Sequence, residues 1–90
     1  MYTIIFSSAF KKSFRQLIRQ KPKINEKIET FFKNIQNKIP LPESFKDHSL
    51  KGDYKCRECH LFPDILLIYK INDNILELLM IDITHSDPFE

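Results

Sequence analysis

The order of apolar patterns in this 90-residue chain predicts an α+β fold: an N-terminal strand, a two-helix hairpin, then a three-stranded antiparallel meander, forming one sheet with the helices packed on it. Two observations carry that expectation. Apolar residues recur at helical spacing across residues 7–39 and in strand-like runs across residues 2–6 and 54–84. Turn-forming groups (Pro22, Pro40-Leu41-Pro42, Pro63 and Asn72-Asp73-Asn74) fall between those patterns.

Tyr2, Ile4 and Phe6 alternate with Thr3 and Ile5, the spacing of an opening strand. Ser7 or Ser8 then caps a helix in which Phe10, Phe14, Leu17 and Ile18 share one face. Pro22 interrupts it. A second amphipathic helix carries Ile24, Ile28, Phe31, Phe32, Ile35 and Ile39 on one stripe and is ended by Pro40-Leu41-Pro42. Residues 40–53 read as a polar loop containing the only glycine, Gly52. The meander follows as Tyr54 to Phe62, Ile65 to Ile71, and Ile75 to Thr84. The almost wholly apolar middle run predicts a central strand covered on both faces. No repeat or linker divides residues 1–90, which read as a single domain.

A hydrophobic content of 42% with 29% charged residues excludes wholesale disorder. No apolar run approaches the roughly 20 residues needed to span a bilayer. Met1 to Phe6 has neither the basic start nor the long apolar stretch of a signal peptide. The expected address is the cytoplasm, with no membrane partner. Charge is uneven: residues 1–39 hold nine Lys/Arg against two Glu, a net of +7, and residues 40–90 hold five against ten Asp/Glu, a net of −5. The basic half suits phosphate backbones. It equally suits the solvated faces of two helices, where Lys11, Lys12, Arg15, Arg19, Lys23, Lys27 and Lys33 would lie.

The chemistry-bearing residues cluster in the second half. His48, His60 and His85 each sit in a short polar segment at a strand end or loop, and an imidazole can give or take a proton near neutrality. Cys56-Arg57-Glu58-Cys59-His60 matches the pattern of covalent haem attachment, but that chemistry needs an exported protein with a helical haem pocket. A zinc site needs a fourth ligand, and strand alternation sends Cys56 and Cys59 to opposite faces. The same geometry and the cytoplasmic address disfavour a disulfide, leaving ordinary reduced thiols and no expected metal or cofactor. Alternation also places Glu58 and His60 on one face, where a carboxylate and an imidazole can shift each other's proton affinity. Taken alone that pair is more ordinary as an edge-strand surface pair; Pro63-Asp64 and the other histidines around it strengthen the catalytic reading.

Four segments together resemble the YafQ family, toxins of type II toxin–antitoxin systems within the RelE/ParE superfamily. They are Lys46-Asp47-His48-Ser49-Leu50-Lys51-Gly52, Arg57-Glu58-Cys59-His60-Leu61-Phe62-Pro63-Asp64, Leu66-Leu67-Ile68-Tyr69-Lys70-Ile71, and Thr84-His85-Ser86-Asp87-Pro88-Phe89. The resemblance implies an endoribonuclease that cleaves mRNA, typically on the ribosome, and that is restrained by a cognate antitoxin, reaching operator DNA only in complex with it. It implies functional positions at His48, Glu58, His60, Asp64, His85 and Phe89.

RNA can be cut by its own 2′-OH when a base takes that proton, an acid protonates the leaving 5′-oxygen, and cations stabilise the charge on phosphorus. His60 or Asp64 are the candidate bases and His85 or His48 the candidate acids. Arg57 and Lys51 are placed for phosphate contact, and Phe89 for stacking on a nucleobase or for plugging the core. Three positions depart from the family pattern: Ile81 and Ile83 replace its usual arginine and glycine, and Ile65 replaces a common aromatic residue. A phosphate-neutralising guanidinium is thereby lost, which favours a second reading: a toxin-fold protein with weak or lost cleavage that acts by binding antitoxin and operator DNA. A gyrase-poisoning relative on the same fold is less well supported, since it does not require the histidine set.

Overall fold

The computed structural model describes residues 2–50 and 53–83. A short strand, β1 (Thr3–Phe6), leads into α1 (Ser8–Gln20) and α2 (Ile24–Gln36). A 3-10 turn (Glu43–Phe45) follows, and then β2 (His48–Leu50), β3 (Asp53–Phe62), β4 (Ile65–Asn72) and β5 (Ile75–Ile83). The five strands form one sheet in the order β1-β5-β4-β3-β2. Strands β2 to β5 pair antiparallel, whereas β1 lies parallel to β5 with Thr3 opposite Ile75 and Phe6 opposite Leu78.

Ser7 is the cap of α1: its Oγ accepts from the Phe10 amide at 3.0 Å and donates to the Leu79 carbonyl of β5, tying the helix start to the sheet. Pro22 ends that helix as expected, with the Lys21 amide closing on the Leu17 carbonyl at 2.7 Å. The second helix stops at Gln36, three residues short of the expected Ile39. Asn37 bends its side chain back to the Lys33 carbonyl at 2.7 Å, and Lys38 turns into the left-handed region at φ 56°. Ile39 is therefore left 51% exposed, outside the stripe.

The helices cover one face of the sheet. Phe10 and Leu17 of α1, and Ile24, Ile28 and Phe31 of α2, meet Leu61, Ile65, Leu67, Tyr69, Leu76, Leu78 and Ile81 in a single core. Each fully buried side chain of this size contributes about 1.5–3 kcal/mol. Phe31 and Tyr69 meet edge to face at 4.9 Å.

The central position of β4 is as expected, but its two-sided burial is not. Ile65, Leu67 and Tyr69 are buried under the helices, while Leu66, Ile68 and Lys70 on the other face are only half-buried. Exposed Met80 of β5 lies on that same face, opposite Ile68. A run apolar on both faces is thus no proof of two covering layers.

The largest departure lies in residues 40–53, expected as a polar loop. Phe45 is buried in the core, anchoring the 3-10 turn, and His48–Leu50 adds a fifth strand to the sheet edge. Three polar-flanked residues are too few for a strand period to show. Among the described residues no helix is long and apolar enough to cross a membrane.

Candidate active site

β3 organises the site. Its alternation sends Arg57 and Cys59 toward the helices and Glu58 and His60 to the opposite face, as expected. Opposite it, β2 places His48 against Glu58 and Ser49 against Arg57. The chain reaches β2 through Lys46, which adopts φ 49° and bonds its amide back to Glu43 at 3.0 Å.

His48 is held at both ring nitrogens. Nδ1 lies 2.7 Å from the Lys46 carbonyl and Nε2 lies 2.9 Å from Glu58 Oε1. A carbonyl and a carboxylate only accept hydrogen bonds, so this geometry is fully satisfied only when both nitrogens carry hydrogen. The ring's proton affinity is accordingly raised, foremost by the Lys46 carbonyl; burial opposes this, and the bond and charge of Glu58 and the charge of Asp47 add to the rise. His48 is half exposed, so a substrate can reach it.

On the other face, Asp47 is clamped. Arg57 forks onto it, Nε to Oδ1 at 3.3 Å and Nη2 to Oδ2 at 2.9 Å, while Nη1 reaches Ser49 Oγ at 3.2 Å. The hydroxyl of buried Tyr69 donates to the same carboxylate. Its proton affinity is raised, by burial foremost and then by Asp47. Arg57, expected to meet phosphate, is thus engaged with Asp47 and Ser49.

His60 is half-buried and lines a pocket of ≈ 270 Å³ with Lys27, Lys46 and Phe62 among its walls. Asp64, in the turn between β3 and β4, pairs with Lys21 at the end of α1 at 3.4 Å. The structure therefore joins His48 directly to Glu58, sets His60 two residues along the same strand face, and gives Asp64 to a lysine. Lys51, His85 and Phe89 lie outside the described residues. Cys59 is fully buried and its thiol is pushed up to about 12 by desolvation, while Cys56 is half-buried; neither is in a disulfide.

Lys46 and Lys27 line this pocket with His60, and neither is singled out by sequence pattern. Lys46 lies within the Lys46-Asp47-His48 motif, and Lys27 reads as solvated helix surface, although its place beside Ile28 on the flank of the apolar stripe is a signal that it borders the core. Ile81, where the family resemblance leads one to expect arginine, is 4% exposed and pairs with Leu67 in the core. Ile65, likewise, is buried at 1%.

Several known proteins resemble this chain in sequence and fold. A family model described as the bacterial toxin of a type II toxin–antitoxin system, YafQ, matches residues 2–90. The mRNA interferase toxin YafQ of Escherichia coli (strain B / BL21-DE3) is 34% identical over 74 residues, covering 81% of this chain and 80% of that protein. The crystal structure of the E. coli DinJ–YafQ complex contains a chain 32% identical with a TM-score of 0.77, covering 100% of both chains. A metal-bound toxin from Helicobacter pylori is 38% identical with a TM-score of 0.78, covering 99% of this chain and 100% of that one. Among the described residues no three His, Cys, Asp or Glu side chains are grouped as a metal site. With the strand order, the helix-covered face and the family match over nearly its whole length in agreement, the chain belongs to the YafQ family of bacterial type II toxins.

Proposed function

We propose that this protein is an mRNA-cleaving endoribonuclease, a toxin that halts translation and is neutralised by a cognate antitoxin. The names of its E. coli relative and of the DinJ–YafQ complex support that reading. The structural observation that carries it is His48, held between the Lys46 carbonyl and Glu58 in a geometry that favours its protonated form.

A protonated imidazole that is half exposed is a proton donor. In the reaction, His60 takes the proton of a ribose 2′-OH, and the oxygen attacks the adjacent phosphorus. The bond from phosphorus to the 5′-oxygen breaks, and His48 delivers its proton to that oxygen. The products are a 2′,3′-cyclic phosphate and a 5′-hydroxyl. Lys46, whose side chain is exposed beside His60, offsets the charge that builds on phosphorus. Asp64 serves as the alternative base only when Lys21 releases it. His85 is the alternative acid, Lys51 a further phosphate contact and Phe89 a base-stacking group. Arg57 acts one step back, fixing Asp47 so that the next residue, His48, is correctly placed.

Cleavage takes place on translated message, on the ribosome and hence in the cytoplasm; the antitoxin complex alone reaches operator DNA. The buried Ile81 favours a second reading, a protein that keeps antitoxin and operator binding but has lost cleavage. Translation of a defined mRNA with mapping of new 5′ ends separates the two. Cuts that require ribosomes and carry 5′-hydroxyl ends support the nuclease. No cuts at any protein concentration, with or without ribosomes, overturn it.

A further inference from the structure

The pocket beside His60 is built differently from the rest of the surface. It lies between α2, the 3-10 turn and the β3–β4 turn, with Phe45 as floor, Phe62 and Pro63 as apolar wall, and Lys27, Lys46 and His60 around it. Lys27 Nζ hangs 5.8 Å from the Phe45 ring centre and 5.7 Å from that of Phe62, and Lys21 Nζ lies 4.6 Å from the Phe62 ring centre. Among the described residues Lys21 pairs with Asp64, but neither Lys27 nor Lys46 is in an ion pair. One ammonium over two aromatic rings, with a second lysine lining the same pocket and neither in an ion pair among the described residues, is matched by a ligand that is both flat and anionic.

Building on the nuclease reading, we infer that this pocket is a nucleotide subsite for the residue flanking the scissile phosphate. Its ≈ 270 Å³ lies at the small end of ligand sites, which limits the occupant to a single nucleotide or part of one and not a length of strand. The base lies against Phe62 and Pro63, its phosphate displaces the ammonium of Lys27 from the rings and takes both lysines, and its ribose comes to His60. The site thus sets recognition next to the proposed base: the nucleotide that fills the pocket is held beside His60, where the β3 register shifts between His60 and Phe62.

The probe is a short fluorescein-labelled single-stranded RNA with 2′-O-methyl riboses, which cannot be cut, read by anisotropy over a range of salt. A Lys27→Gln/Lys46→Gln double variant is expected to bind about tenfold or more weakly, with a salt slope smaller by about 0.7 per lysine. Phe62→Ala is expected to weaken binding while leaving that slope unchanged. Lys33→Gln, on the exposed flank of α2, is expected to bind as the parent does. Equal binding and slope for parent and double variant, or no binding by the parent, overturns the subsite. Cleavage that persists with pocket-independent binding removes this inference alone; pocket-dependent binding without cuts on translated message removes the nuclease reading alone.

Discussion

Glu58 Oε1 lies 2.9 Å from His48 Nε2 across the β2–β3 pair, and the residues before them, Arg57 and Asp47, grip each other on the opposite face. Two consecutive residues of β3 thus hold Asp47, just before β2, and His48, its first residue, one pair on each side of the sheet. The first hold favours a proton on His48; the second fixes where that proton is. Each can be tested separately.

With His48 as the proposed proton donor, cleavage is expected to fall as pH rises through its pKa. Because the Lys46 carbonyl and Glu58 raise that pKa above 6.5, the alkaline limb lies higher than a free imidazole would set it. Glu58→Gln removes the carboxylate's charge and is expected to move that limb toward lower pH, leaving the slope unchanged. A pH–rate profile on a fixed RNA shows it. His48→Ala is expected to lower the rate about 10²–10⁴-fold across the whole range.

The same bonds link His48 to stability. Its proton affinity is higher in the folded chain than in the unfolded one, so its contribution is complete below the unfolded pKa and is lost as pH rises through the folded one. The difference in melting temperature between the parent and His48→Gln is expected to be largest in mild acid and to shrink toward alkaline pH. A difference that grows with pH contradicts the assignment of both bonds.

Tyr69→Phe leaves ring packing intact and removes one hydroxyl from Asp47. The expected cost is about 1–2 kcal/mol in urea unfolding. Arg57→Ala costs more, since it strands a partly buried carboxylate. Cleavage is expected to fall in both because Lys46 and His48 flank the loosened residue.

Ile81→Arg restores the side chain that the family resemblance leads one to expect, yet here it buries a charge where Leu67 packs. Destabilisation of about 3 kcal/mol or more is expected, with no gain in cleavage. A stable and more active variant would show that β5 can rotate to present that position outward.

Element order was readable because periodicity changes where the chain changes partner, as at Ser7, Pro22 and Pro63. The fifth strand was not, because His48–Leu50 is too short for alternation to show and is held by pairs made with β3, which no local pattern records. His48, Glu58 and His60 stood out by residue type, but the state of His48 depends on a backbone carbonyl two residues back and on Lys46 entering the left-handed region. Asp47 reads in the sequence as a mere neighbour of His48, because the grip of Arg57 and Tyr69 comes from residues 10 and 22 positions away. Lys27 could not be linked to His60 across 33 positions by spacing alone, since the α2–β3 packing makes that link.

The parallel seat of β1 beside β5 has a consequence for the order of synthesis. The first strand to be made waits for the last: Thr3 meets Ile75, and Ser7 closes on Leu79, only when those late residues have emerged. Such distant pairings form slowly. A nascent copy therefore cannot seat β1 or tie down the start of α1 until β5 has been made.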